Sequence, residues 1–425
     1  MKRFVRRFFS CLLTGMALLG LAGQVQAERV YLDVTASDVR KIVIAVPDFT
    51  GNGAIGRQAA DLLSKALELH GFIEVLDPQR YGRVKEANWK GLGVDYVIMG
   101  QFSTTGDRLS LEGQPLDVAE NRLLGGRRYS GSTRQQEEMV LKLCDGLIEE
   151  FTGEPGISRS AMAFISDATG KKEVYVSDIL GLHPRQVTKH RHLCVSPRFT
   201  PDGHFLAYSS YHHGNQDLYI TDLRQSKVTK LLSRYSGMNL AGAFTPDGQQ
   251  MIVTLSKGGS PDLYLLDRKG KILRQLTSRS GINVSASCSP DGSKIVFVSD
   301  RSGKPQIYQM ALKSGRTQRL TFENSENSEP SWSPKGDLIA YTGLVGGRYQ
   351  IFTMGVDGRH RRQISSGWGD FESPTWSPDG KQLAFTRKRN GRSEICIANR
   401  NGKNFRVLFN LPGNQAYPQW SGRKP

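Results

Sequence analysis

A chain of 425 residues, with 57 Lys and Arg against 40 Asp and Glu, is long enough for about two or three domains with real cores. Hydrophobic residues at 38% exclude a disordered or collagen-like chain, and a mean hydropathy of −0.41 with a single long apolar run excludes a polytopic membrane protein. The formal charge of +17 brings in nucleic acid, anionic membranes and acidic proteins as partner classes.

The chain opens on Lys2, Arg3, Arg6 and Arg7, runs apolar over 8–22, and places small residues at Val25 and Ala27. A basic start, a short apolar core and a small-x-small cut site describe a cleaved secretory signal peptide over 1–27. An uncleaved anchor needs about 20 apolar residues, and this run is shorter and broken by Ser10, Thr14 and Gly15. Removal of the leader lowers the formal charge from +17 to +13. It leaves Cys144, Cys194, Cys288 and Cys396, which have no zinc-type spacing and read as packed thiols.

Residues 28–152 read as a small α/β domain. Strands are expected over 41–46, 72–76 and 96–99, and amphipathic helices over 55–69 and 133–151. Gly51, Gly53 and Gly56 fall between a strand and a helix, as in a dinucleotide fingerprint. The intervening Pro47-Asp48-Phe49 is too long for that tight turn, and no second mononucleotide half follows. The glycines read as a plain loop that caps the helix. Residues 153–156 form the expected linker.

From 157 to 425 the chain repeats. Phe199-Thr-Pro-Asp-Gly203, Phe244-Thr-Pro-Asp-Gly248, Cys288-Ser-Pro-Asp-Gly292, Trp332-Ser-Pro-Lys-Gly336 and Trp376-Ser-Pro-Asp-Gly380 are followed by a degenerate copy at Trp420. The spacing of the Ser/Thr positions is 45 and then 44 residues throughout. Each repeat holds four short alternating runs separated by turn residues, the signature of a β-propeller blade. The copy at Trp420 has no strands after it, while three orphan strands precede the first anchor, at 161–165, 173–176 and 185–188. Joining them completes a sixth blade and removes both exposed edges. The expected fold is thus a small amino-terminal α/β domain followed by an all-β, six-bladed propeller closed by its C-terminal strand.

No nucleophile elbow, zinc-protease, P-loop or calcium-loop pattern occurs, so no catalytic residue, cofactor or metal is assigned. His190, His192, His204, His212 and His213 gather in one blade but lack a carboxylate or Cys partner at ligand spacing. Basic runs lack the interleaved aromatics of nucleic-acid binders, which leaves no nucleic-acid partner. Loops entering the anchor strands share one face of the ring. On it Asn239, Asn283, Asn327 and Gln415 recur six residues before the Ser/Thr, and four carboxamides at one position would line the channel mouth. Arg198 and the acids Glu329, Asp370 and Glu372 share that rim, so the expected partner-binding set comprises these eight residues. The rim acids also supply the competing expectation, a periplasmic propeller enzyme or small-ligand carrier acting on sugars or peptides.

A secretory leader, a small α/β domain and Trp-Ser-Pro-Asp-Gly repeats ending in Tyr417-Pro-Gln-Trp-Ser421 resemble the TolB family of the Tol–Pal envelope system. Three anchors carry Phe or Cys where that family carries Trp. The resemblance implies a periplasmic scaffold without catalysis, peripheral to the envelope membranes. The lipoprotein Pal would sit at the propeller mouth, TolA would contact Glu28, Arg29, Val30, Tyr31, Leu32 and Asp33, and other outer-membrane proteins would join them. The system's role would be outer-membrane integrity and cell division, and the surplus cations would face acidic envelope components.

Overall fold

The computed structural model describes residues 40–51, 53–225 and 228–423. The expected leader and the segment 28–33 lie outside them. Strand β1 (Ile42–Ala45) leads into helix α1 (Gly53–Leu69), followed by β2 (Ile73–Val75), β3 (Tyr96–Thr105), β4 (Arg108–Asp117), β5 (Arg122–Leu123), β6 (Arg127–Ser132) and helix α2 (Gln136–Thr152). The sheet order is β2-β1-β3-β4-β5, with β6 also on β4. β1 runs parallel to β2 and β3, whereas β3 and β4, ten residues each, form a hairpin turned at Gly106, whose φ is +59°. The apolar stripes of both helices close over the sheet, burying Leu63 and Leu67 of α1 and Leu143 and Leu147 of α2 against Ile44, Ile98, Leu109 and Leu111.

The strands β4 to β6 are additions to the sequence expectation. β4 alternates Leu109 and Leu111 with polar residues, but Gly113 and Pro115 interrupt the run. The glycines before α1 serve close backbone crossings. A Cβ on Gly51 would lie 1.9 Å from the Phe102 carbonyl oxygen, and one on Gly56 would lie 1.9 Å from that of Phe49.

The chain leaves α2 through Gly153, whose left-handed φ of +74° ends the helix as its N–H donates to Glu149 O. Residues 153–156 are held firmly: Gly156 N donates to Asp145 O at 3.1 Å, and Ser158 N to Asp145 Oδ1 at 2.7 Å.

Six four-stranded antiparallel sheets follow, each with its anchor strand innermost. These inner strands are Cys194–Phe199, Asn239–Phe244, Asn283–Cys288, Asn327–Trp332, Asp370–Trp376 and Gln415–Trp420. They define blades 1 to 5 and the closing blade. The last pairs with Ala161–Ser166, Gln415 opposite Ser166 and Trp420 opposite Met162, so one blade is built from both ends of the array. Ser421 seals it: its N–H donates to Ala161 O at 2.9 Å and its Oγ accepts from Ala161 N at 2.8 Å.

The repeated motif has a local physical basis. Thr200 Oγ1 donates to Asp202 Oδ1 at 2.5 Å and accepts from Phe205 N at 3.0 Å, while Gly203 takes a φ of +68°. Thr245, Ser289 and Ser377 repeat the bond to their Asp. In blade 4, where Lys335 replaces that Asp, Ser333 Oγ reaches Asp337 Oδ1 instead, at 3.0 Å. The anchor aromatics pack between blades: Trp332 lies against Val296 and Ile307 of the preceding blade, and Trp376 against Ala340 and Ile351. The described cysteines are all free; Cys144, Cys194 and Cys396 are buried and Cys288 is half-buried.

A candidate partner-binding channel

Each inner strand carries a bulge partway along, between Val195 and Arg198 in blade 1 and at the corresponding place in the others. In five blades the bulged residue is left-handed without being glycine: Ser196 (φ 52°), Ser285 (56°), Glu329 (51°), Ser373 (58°) and Tyr417 (54°). In blade 2 the bulge falls at Gly242, between Ala241 and Ala243, with no left-handed residue. Such conformations cost on the order of 1–3 kcal/mol each and cluster at functional sites. Here they ring the central channel, a cavity of about 590 Å³ lined by all five together with Gly242.

Among the described residues, three charged ones line this cavity: Arg198, Glu329 and Arg423. Glu329 accepts three hydrogen bonds, from Ser373 N at 2.7 Å, Ser373 Oγ at 2.8 Å and Thr342 Oγ1 at 2.9 Å. The bulge produces this arrangement by turning the Ser373 amide out of its ladder and onto the carboxylate of the neighbouring blade. Arg198 donates from Nε to Gly242 O and from Nη1 to Pro197 O, both at 2.8 Å. Withdrawal from water pushes its guanidinium below the usual arginine range, partly offset by the field of Glu329. Burial likewise raises the Tyr417 phenol, aided by Glu329.

The other expected residues divide. Glu372 lies further out, paired with Lys388, and burial raises its carboxyl despite that partner. Asp370 caps a neighbouring hairpin, accepting Tyr349 N at 3.0 Å. The four carboxamides require correction. Asn239, Asn283, Asn327 and Gln415 are buried and turned away from the channel into their own inter-blade loops. Asn239 accepts Ser233 Oγ at 2.6 Å and Tyr235 N at 2.9 Å. Asn283 Nδ2 donates to Asp262 Oδ1 and Gly281 O, and Asn327 Nδ2 to Gln306 Oε1 and Glu323 O. Gln415 Nε2 reaches the carbonyls of Leu411 and Pro412 at 3.1 Å. Their recurrence reflects a shared loop closure, because a buried carboxamide must spend its donors locally.

Ser373 and Tyr417 line the channel outside the expected set, and the Pro after each is the local signal of its bulge. The mouth itself is raised on one side. Strands Leu338–Val345, Arg348–Gly355, Gln382–Arg389 and Arg392–Asn399 each have eight residues, where the corresponding strands of the other blades have six. Large apolar side chains stand exposed on loops entering inner strands: Leu193, Ile282, Phe322 and Trp368, the last two at 71% and 57% exposure. Arg348 lies over the Trp368 ring, 5.2 Å from its centre, and Arg319 over Phe322 at 4.8 Å.

The expected histidine group comes together only in part. His190 and His212 lie tilted at 4.1 Å between ring centres and His212 and His213 at 3.9 Å, with Ser210 Oγ 2.7 Å from His190 Nδ1. Among the described residues no group of three His, Cys, Asp or Glu is arranged to hold a metal ion.

Comparison with known proteins agrees with this architecture. The TolB beta propeller domain family matches residues 148–424, and the TolB amino-terminal domain family matches residues 30–124. A protein of Desulfotalea psychrophila, called Tol-Pal system protein TolB, is 49% identical over 52% of this chain and 52% of its own length. One of the same name from Desulfosudis oleivorans is 36% identical over 60% and 62%. The chain thus spans little more than half the length of the curated relatives it matches. The crystal structure of TolB from Acinetobacter baumannii superposes with a TM-score of 0.81 over 93% of this chain and 100% of that one; at 24% identity it is a likeness of fold.

Proposed function

The chain belongs to the TolB family, and from that membership we propose that it is a protein-binding scaffold of a Tol–Pal envelope system. In this reading the chain is exported to the periplasm and residues 1–27 are removed. The propeller mouth holds the lipoprotein Pal, and residues 28–33 engage TolA. The assembly supports outer-membrane integrity and constriction at division. One observation carries it: exposed Leu193, Ile282, Phe322 and Trp368 all sit on loops entering inner strands, hence on one face of the ring. Aromatic side chains paired with arginine on a shared face are what the energetically dominant centre of a protein interface requires. Arg198 and Glu329 would meet the partner inside the mouth, with Asp370 and Glu372 further out.

The test is crosslinking of the chain in a periplasmic extract, followed by pull-down of the lipoprotein partner with Trp368→Ala plus Phe322→Ala. Capture should weaken at least tenfold while the thermal melt stays unchanged. Undiminished capture would remove this face from consideration.

A further inference from the structure

One side chain on the channel wall has hydrogen-bonding capacity that the fold leaves unused. Arg198 has five N–H groups, of which one Nε and one Nη1 hydrogen are spent on main-chain carbonyls. Its Nη2 bonds to no described residue. Among the described residues the one carboxylate lining the cavity, Glu329, already accepts three hydrogen bonds from Ser373 and Thr342. Among the described residues the lining therefore holds two cations, Arg198 and Arg423, against a single acid already engaged. A guanidinium partly withdrawn from water without a paired anion is costly to keep. The repeat does not demand it either: the corresponding residues of the other blades are Ala243, Ser287, Ser331, Thr375 and Gln419, none of them charged.

We propose that the channel is a receptor for a carboxylate carried on a peptide, which pairs with the free end of the Arg198 guanidinium. The planar fork of Nη1 and Nη2 matches the two oxygens of a carboxylate in a way that no other group on the wall can. A peptide suits the site better than a free ion. A cavity of about 590 Å³ falls in the range that accommodates a drug-sized ligand, and its wall offers apolar surface from Pro201, Pro246, Pro290 and Trp332. This inference rests on the scaffold reading: it names the chemistry by which an inserted partner segment is anchored.

Calorimetric titration of the purified chain tests it with four probes: N-acetyl-Gly-Asp-Gly-amide, the same peptide with Asn for Asp, sodium acetate and inorganic phosphate. The Asp peptide should bind at least tenfold more tightly than the other three. Arg198→Gln should abolish that preference, and Arg198→Lys should keep part of it. Equal binding of the Asp and Asn peptides overturns the carboxylate pairing, as does a preference that survives in Arg198→Gln, or no binding of the Asp peptide. Acetate or phosphate binding as tightly as the peptide overturns the peptide-borne source. Thermal melts of both variants show whether the channel is intact, and Arg198→Lys carries the test if Arg198→Gln does not fold. The two readings separate in the pull-down. Equal lipoprotein capture by wild type and Arg198→Gln defeats the pairing and spares the scaffold. No capture by wild type defeats the scaffold, and the peptide titration then stands alone.

Discussion

Replacing Trp420 by Ala tests the closure of the ring at its one discontinuous blade. Trp420 is buried, and its ring packs with Met162 and Phe164 from the start of the array and with Ile395 and Ile397 of the preceding blade. Its indole N–H donates to Ser160 Oγ at 2.8 Å, a bond between residues 260 positions apart. Truncating a fully buried Trp costs about 3–5 kcal/mol, from lost transfer energy and the cavity left behind. At about 2–4 °C per kcal/mol for a domain of this size, the propeller transition should fall by roughly 6–20 °C. Trp420→Phe keeps most of the ring but loses the hydrogen bond, worth about 0.5–1.5 kcal/mol, and should fall by a few degrees. Trp368→Ala removes an exposed ring and should stay within about 0.5 kcal/mol of wild type. Differential scanning calorimetry resolves the three, since the propeller and the α/β sheet can melt as separate transitions. A Trp420→Ala shift no larger than that of Trp368→Ala would refute the argument that this strand locks the ring.

Three further outcomes follow from the packing. His70 is buried with its ring neutral, Nδ1 donating to Ala66 O at 2.9 Å and Nε2 accepting Ile157 N at 3.1 Å. Burial holds its pKa below the ordinary value against the pull of Asp379 and Asp145. Stability is then fully present above about pH 6.5 and is lost as the pH falls through the lowered pKa, by up to about 1.4 kcal/mol per pH unit. His70→Gln should flatten the dependence of Tm on pH below about 6.5 by up to one proton, and an unchanged slope would show that His70 is not the group responsible. Gly56→Ala must displace the Phe49 carbonyl and should destabilise the α/β transition by about 1–3 kcal/mol, leaving the propeller transition in place; chemical denaturation followed by circular dichroism reads both. Burial raises the thiols of Cys288 and Cys396 to about 12 and Cys194 to about 11, so a disulfide reagent at pH 8 should leave all of them unmodified within minutes in the native state. The same reagent should titrate them fully in guanidinium, and a rapid native reaction would contradict the packing described.

The blade repeat, its count and the identity of the closing strand were all readable in the sequence, because each rests on short-range chemistry. A hydroxyl two residues before Asp, a left-handed Gly and an alternating apolar run act within one turn and one strand. The surplus anchor at Trp420 and the three unanchored strands at the start then leave a single way to complete the last blade. The α/β sheet was half legible: β4 escaped because Gly113 and Pro115 break its alternation, and its pairing with β3 and β6 supplies what the pattern lacks. The channel was legible only in part: Arg198 and Glu329 of the expected set line it, and the carboxamides do not. Asn239, Asn283, Asn327 and Gln415 recur as regularly as any binding group, yet the tertiary structure turns them into loop ties, while an irregular residue, Arg198, faces the cavity. Spacing along the chain records which positions are equivalent. Whether an equivalent side chain points to a neighbouring blade or to the channel depends on the bulge in each inner strand and on the donors that the adjacent blade brings within reach, and those exist only once the ring has closed.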